Sequence, residues 1–186
     1  MDAIVEAALR KWPNVPHCHG WLGLDARGHW YLRDEQAQAA GAFAAARGSR
    51  IEHVGLREFI HRNYACDASG CWYFQNGPQR VYVELERTPW VWRLARQGGS
   101  VGSGPVGIES HTGLSARLDT GFVDETGRLY LATDLGLGLV HSLDVELASQ
   151  AMADQGWPVV EAAWSELVKR YGLVLSPAAA RLGVTR

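Results

Sequence analysis

Seven histidines and three cysteines are the residues of this 186-residue chain most able to hold a metal or attack a substrate. Three of these ten fall in one short run, His17-Cys18-His19. Imidazole and thiolate are the donors that zinc and copper prefer. On an extended strand successive side chains alternate between faces, so His17 and His19 point one way and Cys18 the other. A metal there needs at least two further ligands from elsewhere. Cys66 and Cys71 are the remaining thiols, but four intervening residues across a turn depart from the short Cys-x-x-Cys knuckle of structural zinc sites. Any of the three thiols, set beside an imidazolium, could serve as a nucleophile, yet no local signature singles one out. The run is therefore the candidate site of the second-choice reading, a metal-dependent or thiol enzyme. Its plain alternative is a polar lead-in to a hairpin. No sequence motif calls for a cofactor, since the glycine pairs between Gly98 and Gly107 lack the Lys-Ser/Thr ending of a phosphate loop.

The second chemical run is Phe74 to Val83, where Gln75, Asn76, Gln79 and Arg80 crowd one turn between apolar strands. A guanidinium beside amide donors suits a carboxylate or phosphate, and loops on a rigid sheet often carry function. These four residues are the expected contacts for a small anionic ligand or a protein partner. Against this, Asn-Gly-Pro is ordinary turn chemistry, and Arg80 could pair with Glu84 or Glu86 at the surface.

The elements that position both runs follow from local patterning. Ile4, Val5, Ala8, Leu9 and Trp12 lie at helical spacing between Asp2, a candidate N-cap, and Pro13. Leu56, Phe59, Ile60 and Asn63 predict a second short helix over 55–63. Between them, the Ala-rich stretch 34–47 has helix formers but only Phe43 as a large anchor, so helix and loop both stay open. Strands are expected over 70–75, 80–86 and from Trp90, with Pro89 at a strand start where its missing N–H is tolerated. A further strand falls near 137–141 and a helix over 145–153. Val159, Val160, Ala163, Trp164, Leu167, Val168 and Tyr171 form an apolar helical stripe before Gly172, which predicts a C-terminal amphipathic helix.

Three segments share the form Asp-x-x-Gly-x-(Trp/Leu)-Tyr-(Leu/Phe), beginning at Asp25, Asp67 and Asp124. The mechanism is a tight reversal in which Asp caps the turn and Gly supplies a positive φ. Their unequal separations argue against a regular solenoid or propeller. The expected fold is therefore α+β: an antiparallel sheet of repeated short β-hairpins packed against a few helices. A Gly/Ser-rich connection over 97–107 divides a hairpin-rich part, 1–96, from the third hairpin and C-terminal helices, 108–186. A single domain over the whole chain is the open alternative.

Composition narrows the partners. Apolar residues make up 47% of the chain and charged residues 20%, as in ordinary globular domains. A formal charge of −2 offers phosphate backbones no broad attraction, so no nucleic acid is expected. No apolar run is long enough for a membrane span, and the N-terminus lacks the pattern of a secretory signal. A cytoplasmic protein with free thiols is expected. Eight tryptophans, among them Trp90 and Trp92 on one strand, put large residues on both faces, which a homodimer or oligomeric scaffold would cover.

The run Asn63-Tyr64, Asp67, Gly70 and Trp72-Tyr73-Phe74-Gln75-Asn76-Gly77-Pro78-Gln79-Arg80-Val81-Tyr82-Val83, with Glu86 and Thr88-Pro89, resembles an uncharacterised proteobacterial family, a domain of unknown function. Trp12-Pro13-Asn14-Val15-Pro16 and Gly20-Trp21-Leu22 fit it too, and the part after Gly98 fits more loosely. The resemblance implies a bacterial cytoplasmic protein and assigns no catalytic or binding residue. Together these readings favour a non-catalytic binding or regulatory module.

Overall fold

The computed structural model describes residues 1–97 and 104–183. In chain order its elements are α1 (Ala3–Lys11), β1 (Cys18–Leu24), β2 (Trp30–Leu32), α2 (Glu35–Ala39), β3 (Ser49–Arg50), α3 (Val54–Arg62), β4 (Tyr64–Cys66), β5 (Trp72–Asn76), β6 (Gln79–Leu85) and β7 (Trp90–Arg96). There follow β8 (Val106–Ser110), β9 (Ser115–Ala116), β10 (Leu118–Val123), β11 (Leu129–Thr133), β12 (Gly136–Val140), α4 (Val145–Gln155), β13 (Val159–Glu161), α5 (Trp164–Arg170) and α6 (Pro177–Arg181). None of these helices is long and apolar enough to cross a membrane.

The chain forms two units. The first comprises Met1–Asp25, His29–Arg87 and the C-terminal segment from Leu173; the second comprises Ala26–Gly28 and Thr88–Gly172. Residues 98–103 of the Gly/Ser-rich segment lie outside the described residues. Its flanks, β7 and β8, pair antiparallel within the second unit, Arg96 opposite Val106.

The first unit carries a six-stranded sheet in the order β3-β2-β1-β6-β5-β4. Its core gathers Leu22, Leu24, Trp30, Phe74 and Val83 from the strands with Ile60 of α3. Ile60, 1% exposed, is the buried anchor of α3. Asp2 does not cap α1 with its side chain; its carboxylate instead accepts from Arg62 and from the Asn63 amide. The second unit carries a seven-stranded sheet, β13-β10-β11-β12-β7-β8-β9.

All three Asp-to-Gly reversals are present. Gly28, Gly70 and Gly127 have φ of 81°, 82° and 77°, and strands β2, β5 and β11 follow them. The sheets, however, are mixed and not antiparallel as expected. β1 runs parallel to β6, β12 to β7 and β10 to β13. Alternation identifies a strand and a tight turn identifies its hairpin mate, but neither encodes which distant strand closes the other edge.

The C-terminal stripe is a second correction. Val159–Glu161 forms a short strand, β13, and only Trp164–Arg170 is helical. Two adjacent β-branched valines favour extended backbone, and β10 offers an edge on which Val160 pairs with Phe122. The helix then starts after Ala163, and Leu167, 1% exposed, anchors it.

Candidate functional site

The repeated aspartates build turns. Asp124 Oδ1 accepts the N–H groups of Thr126 and Arg128, both at 2.9 Å, and Oδ2 accepts the Tyr130 hydroxyl at 2.9 Å. Burial would raise this carboxyl, but the hydrogen bonds from Thr126, Arg128 and Tyr130 outweigh it and hold its pKa at about 2. Asp25 repeats the pattern with His29 N–H at 2.8 Å and the Tyr31 hydroxyl at 3.2 Å. Asp67 departs from it in one respect. Its Oδ1 accepts from the Ser69 and Cys71 N–H groups, but the hydroxyl on Oδ2, at 2.8 Å, comes from Tyr82 on β6 and not from Tyr73. Burial would raise the Asp67 carboxyl as well, and the Ser69, Tyr82 and Cys71 hydrogen bonds lower it overall.

Arg80 sits beside both of these tyrosines. The Tyr73 ring, not engaged by Asp67, lies under the Arg80 guanidinium at 4.5 Å from its centroid. Among the described residues Arg80 forms no ion pair with Glu84 or Glu86; Glu86 pairs with Arg47 at 2.7 Å. Gln75 is 1% exposed and its amide donates to Gly77 O at 2.9 Å inside the same turn. The Gln79 amide donates to Pro16 O at 2.8 Å. Of the four turn residues, Asn76 alone is exposed.

The other predicted run is split by the sheet. His19 stacks on Tyr82 at 4.5 Å and His17 meets the same ring edge-on at 5.9 Å. Burial, then the charges of Arg181 and His17, push the His19 imidazole below its ordinary range. Cys18 lies opposite Val81 and faces the other side, away from Tyr82. Cys18, Cys66 and Cys71 are free thiols, and among the described residues no three His, Cys, Asp or Glu side chains gather as a metal site.

On the face that Cys18 joins, the first unit contains a cavity of about 260 Å³. Cys18, Trp21 and Leu22 of β1 and Leu32 of β2 form one wall; Ile51, with Leu56 and Ile60 of α3, forms another; Phe74 and Asn76 of β5 and Val81 of β6 complete it. Trp21 is 44% and Leu32 51% exposed, so this apolar surface reaches solvent. Cys18 and Asn76, one from each predicted run, are thus brought together, while His17, His19, Gln75, Gln79 and Arg80 are not among its lining.

With this geometry in place, similarity to known proteins is informative about family alone. A family model, DUF2944, described as "Protein of unknown function (DUF2946)", matches residues 1–178. The chain belongs to this family. For a DUF2944 chain the expected standing as a domain of unknown function holds. No match is found among curated proteins. Two solved structures of DUF1285 family proteins are similar, each with a TM-score of 0.46. The one from Shewanella baltica OS155 is 12% identical and covers 70% of this chain and 91% of its own. The one from Silicibacter pomeroyi DSS-3 is 14% identical and covers 81% of this chain and 84% of its own.

Sequence reasoning missed two buried charges that support the first unit. Arg33, 4% exposed, donates to the carbonyls of Ala46, Ala37 and Gly41 and so pins the Ala-rich segment. Glu84, also 4% exposed, accepts from the Ser176 hydroxyl and from Ala178 N–H, which holds the C-terminal segment on this unit. Burial raises the Glu84 carboxyl against the opposing pull of Ser176, Ala178 and Arg33. Neither residue sits in a motif; a charged residue on or beside a strand looks solvent-facing until its partners are known. A second concavity, of about 480 Å³ beside Asp124, Glu125, Glu161 and Glu166, lies in the second unit. Its acidic groups are partly spent on structure: Asp124 closes its turn and Glu125 accepts from Trp164 N–H at the start of α5.

Proposed function

We propose that this protein is a non-catalytic binding module that takes a small ligand into the apolar cavity of its first sheet. The observation that carries the reading is the cavity itself: an open space of about 260 Å³, walled by aliphatic and aromatic side chains on the rigid β1-β6-β5 platform. Small-molecule sites are typically concave and apolar with few placed polar groups, and this one has the Asn76 amide and the Cys18 thiol. Asn76 keeps the ligand-contacting role expected of the 75–80 turn, while Gln75, Gln79 and Arg80 act as its scaffold. A catalytic reading has less support, because the thiol and the two imidazoles of 17–19 occupy opposite faces of the sheet.

The test is a thermal-shift screen of small apolar compounds against the wild type, Leu56→Trp and Arg80→Ala. A ligand of the native state raises the melting temperature by mass action. Leu56→Trp, which fills the cavity, should abolish the shift, and Arg80→Ala should leave it intact. The opposite pattern, loss with Arg80→Ala only, would move the site to the other face.

A further inference from the structure

We infer that the ligand of this cavity is uncharged: a small aromatic ring or a medium-length acyl chain carrying one hydrogen-bonding group. The inference rests on the cavity being the ligand site, and it replaces the anion suggested by the Gln-Asn-Gly-Pro-Gln-Arg run. The lining contains no Lys, Arg, His, Asp or Glu side chain. A carboxylate or phosphate moved there from water would lose its hydration and gain no counter-charge, which disfavours it strongly. Arg80, the obvious cation of the turn, follows the alternation of β6: Val81 faces the cavity, and Arg80 lies over Tyr73 on the reverse side.

Size and polarity narrow the class further. An apolar cavity of ~150 Å³ admits benzene, so about 260 Å³ admits a bicyclic ring or an acyl chain of medium length. Leu22, Ile60 and Phe74 offer only dispersion contacts. Asn76 supplies the one amide, which donates and accepts equally well, and suits a carbonyl, hydroxyl or amide. The exposed Trp21 adds an aromatic face at the rim.

Cys18 gives a direct readout, with exposed Cys66 as internal control. The full chain is alkylated with N-ethylmaleimide at pH 8 alone, with indole, with 1-octanol and with octanoate, and each cysteine is followed by peptide mass spectrometry. Indole or 1-octanol at ten times its dissociation constant should slow Cys18 alkylation on the order of tenfold, leave Cys66 unchanged, and octanoate should protect neither. Indole and 1-octanol separate the ring from the chain as the bound group. Protection of Cys18 by octanoate as strong as by 1-octanol overturns the uncharged class and leaves the cavity as the site. Protection by none of the three overturns both, and slowing of Cys66 in parallel with Cys18 overturns the assignment to this cavity.

Discussion

In the second unit, Trp92 and Tyr130 are fully buried and Trp90 is 5% exposed, each with its polar atom engaged. Trp92 Nε1 donates to Leu131 O at 2.9 Å, Trp90 Nε1 to Leu135 O at 2.8 Å and the Tyr130 hydroxyl to Asp124. In the first unit, Trp21 and Leu32 stay about half exposed beside an unfilled cavity. Both units use the same Asp-to-Gly hairpin, so the turn does not set this difference. What differs is how each sheet covers its large side chains: one buries Trp90, Trp92 and Tyr130, the other leaves Trp21 and Leu32 on a concave apolar face. The difference teaches that aromatic content marks a site only where packing leaves it open.

The contrast is sharpest under truncation. Trp92→Ala should cost about 4 kcal/mol by urea unfolding, through the cavity it creates and the loss of the indole hydrogen bond to Leu131 O. Trp21→Ala in the first unit should stay within about 1 kcal/mol, as its side chain is already half in water. A loss at Trp21 equal to that at Trp92 would break the distinction between a closed sheet and an open one.

Buried carboxylates give the next largest effect, with opposite signs in the two units. Asp124 is held at about 2 against an ordinary value of 3.8, so its ~2 kcal/mol of stabilisation is present above pH ~4 and lost as pH falls toward 2. Asp124→Asn should therefore cost about 2 kcal/mol at neutral pH and much less near pH 2, measured by denaturant titration across pH. Glu84 is raised by burial, so the folded state binds its proton more tightly than the unfolded one. Stability from this group is full below its ordinary value and declines as pH rises through the raised one. Glu84→Gln should cost under about 1 kcal/mol at pH 7 and should flatten that decline. A steep loss for Glu84→Gln at neutral pH would show that the charge itself holds Ser176 and Ala178.

The smallest expected effect concerns packing at the cavity. Leu56→Trp fills open space without displacing the core formed by Leu24, Trp30 and Val83, and should change stability by less than about 1 kcal/mol in either direction. A larger loss would mean that the space is already closed in solution.

How far the sequence reached follows the range of each interaction. The reversals at Asp25, Asp67 and Asp124 were readable because Asp, Gly and the following alternation act within a few residues of one another. The face split of His17, Cys18 and His19 was readable for the same reason. The parallel pairings of β1 with β6 and β10 with β13 were not, since partner choice depends on remote segments. Val159 and Val160 fit helical spacing equally well, and only the waiting edge of β10 decides for strand. At the site, Asn76 and Cys18 stand out in the sequence for their chemistry, but nothing in the sequence places them in one cavity. Leu56 and Ile60 fit a helix face and nothing in the sequence marks Trp21 as lining a pocket, because a cavity is a property of what packing omits, and no residue type encodes it.

The most direct test is a crystal structure of the protein soaked with indole. Ring density is expected between Phe74 and Ile60, with the indole N–H directed to the Asn76 amide oxygen. Indole seated only elsewhere, or Trp21 folded into the space with no ligand bound, would contradict it.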